Sequence, residues 1–218
     1  MIHRWMSQPA SLVLTAVSAL TLSSCGTGDG SDDHGKSAAA GTAATPSASR
    51  TAPEPSRSDR PQISSPAGLS YAFDWPRTGD KEKNAVLADS EQSIRAVDLA
   101  IVKQDALDPA YLHYYEGEAA AGTEKFIQNY VDQEATITGS YRFYDPRLSV
   151  REDGTASFTY CEDQGRVYVK YLRENRIRKT EVTAKSYVEY RTSLKRDSDG
   201  VWKVQGVYSK SGSAACQP

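Results

Sequence analysis

Histidine and cysteine are scarce in this chain, three of each among 218 residues, and methionine occurs only twice. No Cys-x-x-Cys pair and no cysteine–histidine cluster is present, so nothing in the spacing calls for a metal, and no cofactor is expected. Gly-x-Ser-x-Gly, His-Glu-x-x-His, Gly-x-Gly-x-x-Gly and the phosphate-binding P-loop are absent too, which removes the usual signatures of serine hydrolases, zinc peptidases and nucleotide enzymes. Positive charge is not in excess. The formal net charge of −2 lacks the chain-wide basic footprint of a nucleic-acid binder. No apolar run approaches the roughly 20 residues of a transmembrane helix, and no internal repeat is visible. Tyrosine, by contrast, is abundant, at thirteen copies against four phenylalanines. Such rings suit sites with one end buried and the other hydrogen-bonded or wet.

The longest greasy stretch is short and N-terminal. Arg4 is followed by Ser11 to Leu22, SLVLTAVSALTL, the length and flanks of a secretory h-region. It ends in Leu22-Ser23-Ser24-Cys25. This resembles the lipobox of bacterial lipoproteins, a leucine and two small residues before the modified cysteine. The resemblance implies cleavage after residue 24 and diacylation of Cys25, with the protein anchored on the extracellular face of the cell membrane. The alternative is an ordinary secretory signal with a chance cysteine. Acyl chains would supply about 0.8 kcal/mol per buried CH₂, so two of them hold a soluble domain at a membrane.

Residues 26 to 66 contain one large aliphatic side chain, Ile63, and twenty-nine of the forty-one are Gly, Ala, Ser, Thr or Pro. Such a segment cannot offset the entropy of its own ordering. It is expected to be a disordered tether with a span of roughly 35 Å. Within it, Asp-Gly-Ser-Asp-Asp-His-Gly lacks the spacing and distal glutamate of a calcium loop, so it reads as solvated linker and His34 takes no role. With Cys25 assigned to lipid, Cys161 and Cys216 remain as one even pair in an oxidising compartment, and a disulfide between them is expected. A catalytic thiol at Cys161 is the alternative. It would have a single histidine, His113, available anywhere beyond the tether.

From residue 67 the pattern becomes foldable. Helical spacing predicts a helix over 84–106, a short one from Asp108-Pro109 to about Gly117, and a third from Thr123. After residue 135 the period falls to two, and five stretches read as strands, ATITGSYRFY, TASFTYCE, RVYVKYL, SYVEYRTSLKR and VWKVQGVYS. Their connectors carry Asp145-Pro146, Asp153-Gly154, Asp163-Gln164-Gly165 and Asp199-Gly200. The expected fold is α+β, three N-terminal helices packed on a curved antiparallel sheet of about five strands in one cone-like domain, residues 67–218.

This order resembles the nuclear transport factor 2-like superfamily, most of all in residues 186–208, which look like its two final strands with a charged turn. The resemblance implies a cone that in some members does isomerase, dehydratase or cyclase chemistry and in others only binds. Open sheet faces of such domains also imply a homodimer. Chemistry in such a cone needs an acid or histidine beside a tyrosine in a dry pocket. The candidates are His113, within YLHYYE, and Asp98 on the first helix; His113 otherwise sits at the surface and Asp98 on the exposed side with Glu91 and Arg95. Tyr141, Phe143, Phe158, Tyr160, Tyr190 and Trp202 either line a pocket for a small apolar ligand or fill an ordinary core.

Charge is segregated along the chain. Residues 67–134 carry six Lys/Arg against thirteen Asp/Glu, residues 135–218 fifteen against ten. Arg173 to Lys179 holds four of the positive charges. It reads as a solvated hairpin guarding a sheet edge, or as a surface for an anionic wall polymer, lipid headgroups or an acidic protein. The sequence thus points to a membrane-anchored binding or protein-interaction domain, with an enzyme acting on a small apolar substrate as the alternative.

Overall fold

A computed structural model describes residues 60, 61 and 63–218. The signal segment 1–24, Cys25, His34 and the tether to residue 59 lie outside the described residues. Packing begins earlier than residue 67. Ile63 is buried in the core, its amide donates to Gln92 Oε1 at 2.9 Å, and Arg60 pairs with Asp89 at 3.4 Å.

Six strands and three helices follow: β1 (Leu69–Phe73), α1 (Lys81–Lys103), α2 (Pro109–Tyr114), α3 (Gly117–Asp132), β2 (Ala135–Val150), β3 (Thr155–Tyr171), β4 (Arg176–Arg178), β5 (Tyr187–Arg196) and β6 (Trp202–Ser211). The sheet order is β1-β2-β3-β5-β6, with β4 added to β3. The class is α+β, but the sheet is mixed, because β1 runs parallel to β2 in register Leu69↔Gly139 to Phe73↔Phe143. The helices are therefore preceded by a strand. Its five residues are too short to stand out by periodicity, and its pairing spans seventy positions of sequence.

Local chemistry sets the helix ends. Asp80 caps α1 by accepting from Glu82 N and Lys83 N at 2.9 and 3.2 Å, so the helix begins at Lys81, three residues before the expected start. Gln104, left-handed at φ 57°, ends it. The Gln104 amide then donates to the carbonyls of Ile101 and Ala135 at 2.7 and 2.8 Å, tying the helix end to the start of β2. Helix α2 begins where Asp108-Pro109 places it. Helix α3 begins at Gly117 rather than Thr123, since the alanine-rich turn before Thr123 is helical and not a loop.

Two expected connectors are bends instead. Asp145-Pro146 lies inside β2, at a register shift between Tyr144 and Arg147, with Asp145 at φ 50°. Asp163-Gln164-Gly165 lies inside β3 beside the shift between Ser140 and Arg142. Bulges of this kind kink a strand without ending it, and here they interrupt the register of two long strands that continue through them. At Gly139 (φ 125°) a Cβ would lie 2.0 Å from the Arg166 carbonyl oxygen, so only glycine fits where β2 and β3 approach.

The concave face is paved with rings. Tyr71 and Phe73 of β1 stack on Tyr141 and Phe143 of β2, Trp75 meets Phe158 and Tyr160 of β3, and Tyr160 stacks on Tyr190 of β5 at 5.2 Å. Helices α1 and α3 cover them with Val86, Ile94, Val97, Ile101, Phe126 and Ile127, all buried. On the opposite face Cys161 is bonded to Cys216, with Cα atoms 5.4 Å apart. Among the described residues no helix is long and apolar enough to cross a membrane.

Candidate functional site

The inward residues of β2, β3 and β5 run from a nearly filled inner region to an open outer groove. Inside, a cavity of about 40 Å³ lies between α1, α3 and the sheet, room for about one water. Ser90, Ser93, Thr123, Tyr160, Glu162 and Tyr190 line it. Glu162 is 2% exposed. It alternates with Phe158 and Tyr160 along β3, so the same period that turns those rings inward turns a carboxylate inward as well.

The outer groove is much larger, about 360 Å³. One wall is apolar sheet and helix: Ile137 and Tyr141 of β2, Val167 and Val169 of β3, Val188 of β5 and Tyr130 of α3. The other wall is the segment that leaves β4 and returns to β5, with Arg178, Thr180, Glu181, Thr183 and Lys185. An apolar floor with a few polar and charged groups on one side suits a molecule with a greasy body and a polar end. Val188 lines the groove, Tyr190 lines the inner cavity, and the two are successive inward residues of β5. Glu162, which lines the inner cavity, is the register partner of Val188, which lines the groove.

The sequence candidates are distributed unevenly over this arrangement. Tyr141 stands on the groove wall, and Tyr160 and Tyr190 on the inner cavity. Phe143, Phe158 and Trp202 are fully packed and face neither space. Asp98 is not on the exposed side of α1. It is completely buried and accepts from Tyr71 OH at 3.0 Å. Its spacing from Ile94 and Ile101 carried that signal, because all three share one helical stripe. His113 lies on α2, edge-on to Tyr114 at 4.8 Å and away from both spaces. Burial pushes its pKa down, and the charge of Lys203 adds to the effect. Glu162, Tyr130 and the aliphatic groove residues were not singled out by sequence; for Glu162 the alternation with two aromatics was the available sign.

Other buried charges have structural partners. Asp89 accepts from Trp202 N at 2.9 Å, and Asp108 caps α2 while pairing with Lys103 at 2.8 Å. Glu189, on the outer face, accepts from Ser213 Oγ at 2.7 Å and pairs with Arg191 at 2.8 Å. Those contacts, the Ser213 hydroxyl foremost, hold its pKa below the ordinary carboxylate value. Among the described residues no group of three or more His, Cys, Asp or Glu side chains is placed to hold a metal ion.

No protein-family model and no curated protein matches the chain. Solved structures similar to it include Aln2 of a Streptomyces species, 13% identical over 62% of this chain and 94% of that one, TM-score 0.43. A ketosteroid isomerase-like protein of Erwinia carotovora atroseptica is 11% identical over 62% and 98%, TM-score 0.40. Hexachlorocyclohexane dehydrochlorinase of Novosphingobium barchaimii is 11% identical over 60% and 88%, TM-score 0.39. Similarity at this level transfers no residue and no activity to this chain.

Proposed function

We propose that the domain is a cone of the nuclear transport factor 2-like kind that binds a small, mostly apolar molecule with one polar end. The chain would hold it on the extracellular face of the cell membrane through lipid on Cys25. The observation that carries the binding reading is the groove of about 360 Å³, apolar on its sheet wall and polar on the wall of residues 178–185. The membrane address rests on Leu22-Ser23-Ser24-Cys25.

The test is titration of the full chain with anilinonaphthalene sulfonate, an apolar dye with an anionic end. Saturable, blue-shifted fluorescence is expected. Val169→Trp, at a half-buried position on the groove wall, should obstruct the groove and abolish the signal. Equal dye binding by the variant would place binding elsewhere and reject the reading.

A second reading is favoured by Glu162. A buried carboxylate that lines the small inner cavity with Tyr160 and Tyr190 has the setting of a general acid or base. The alternative of an isomerase, dehydratase or cyclase therefore centres on Glu162 rather than His113. The molecule recovered from Glu162→Gln would then be the unconverted precursor of the one recovered from the natural chain. Identical molecules from both would leave binding alone.

A further inference from the structure

Every residue from 172 to 185 is exposed, the part of the chain that leaves β3, forms β4 and returns to β5. Three of the six large hydrophobic side chains exposed among the described residues fall in this stretch: Leu172 (40%), Ile177 (45%) and Val182 (56%). Ile177 is directly paired with Lys170, and Leu172 follows at once after the end of β3, in the turn that leads to β4. Residues 166–185 also carry seven Lys/Arg against two Glu, a net of +5, on a domain whose helical half is acidic. Two of the seven are engaged, Arg173 with Glu134 at 2.6 Å and Arg176 with Glu174 at 2.9 Å.

We infer that the β3–β4 hairpin is a docking surface for a membrane rich in anionic lipid, with Leu172 and Ile177 entering the headgroup layer and Lys170 and Lys179 meeting the lipid phosphates. Charge complementarity selects an anionic partner. The aliphatic side chains select among anionic partners, because a hydrophilic polymer offers them nothing, whereas a bilayer has an apolar layer beneath its charge. The inference rests on the membrane address proposed above and is independent of what the groove holds. Docking would lay the outer wall of the groove against the lipid surface.

Hydrogen exchange on the full chain reconstituted in vesicles tests this, using phosphatidylglycerol-containing vesicles and vesicles of phosphatidylcholine alone. Amides of residues 172–182 should be protected only on the anionic vesicles, and salt at about 0.5 M should remove the protection. Lys170→Gln with Lys179→Gln should lower the docked-to-free ratio roughly 25-fold, at about fivefold per basic residue near the surface. Leu172→Ser with Ile177→Ser should also release the hairpin; Leu172, Ile177 and Lys179 are exposed and Lys170 is half-buried, so neither pair removes a core side chain. Equal exchange on the two vesicle types would overturn the inference. Equal protection by soluble polyglutamate would overturn it in favour of a polyanion site. Intact mass of the same samples reports acylation of Cys25 separately, so failure of the anchor and failure of the docking are distinguished.

Discussion

Removing the Cys161–Cys216 bond should destabilise the domain far more than its local contacts suggest. The two residues are separated by 55 positions. Closing a loop of that size lowers the entropy of the unfolded chain enough to stabilise the fold by about 4 kcal/mol. In the folded chain the tail stays held after reduction. Ser213 Oγ donates to Glu189 at 2.7 Å, Cys216 N donates to the Ser213 carbonyl at 3.1 Å, and Tyr144 OH donates to the Cys216 carbonyl. The loss therefore falls mainly on the unfolded side. For a domain of this size each kcal/mol moves the melting temperature by about 3 °C, so Cys161→Ala with Cys216→Ala should melt roughly 12 °C lower. Thermal unfolding followed by circular dichroism reads it, with reduced natural protein as the control. A double variant within about 3 °C of the natural protein would refute the reasoning and show that the tail's other contacts already restrict the unfolded chain.

Gly139→Ala should be severely destabilising, by about 3 kcal/mol or more, because it adds a Cβ 2.0 Å from the Arg166 carbonyl at a positive φ; denaturant unfolding with near-natural stability would contradict the register of β2 on β3. Glu189→Gln should cost about 1–2 kcal/mol at neutral pH. The folded pKa of Glu189 lies below its ordinary 4.5, so its contribution is present above that value and fades as pH falls through the folded pKa. Melting curves of the two proteins should therefore converge in acid, and a gap that stays constant below pH 4.5 would remove the carboxylate as its cause.

Much of the architecture was legible because it rests on local signals. Asp108-Pro109 marks α2, the tyrosine-rich alternation marks β2, β3, β5 and β6 but not the three residues of β4, and Cys161 and Cys216 form the expected bond. The errors have a common origin in long-range structure. Asp-Pro and Asp-Gln-Gly are turn chemistry by local rules, yet here the neighbouring strands carry the chain through them as bulges. The five residues of β1 gain their identity only by pairing with β2, and Ile63 only by meeting α1. The site was harder still. Asp98 and Glu162 each sit on an apolar period, but periodicity cannot tell whether a lone acid on such a face is tolerated or used. The groove is formed partly by residues 178–185, which have no periodicity to read.

The central claim, that the cone holds a small amphiphilic molecule, is tested most directly by native mass spectrometry of the full chain purified from its own host. The account predicts a reproducible added mass on the order of a few hundred daltons, the size such a cavity admits, present in the natural chain and missing from Val169→Trp. A bare chain in both samples would contradict it and leave the surface as the working part of the domain.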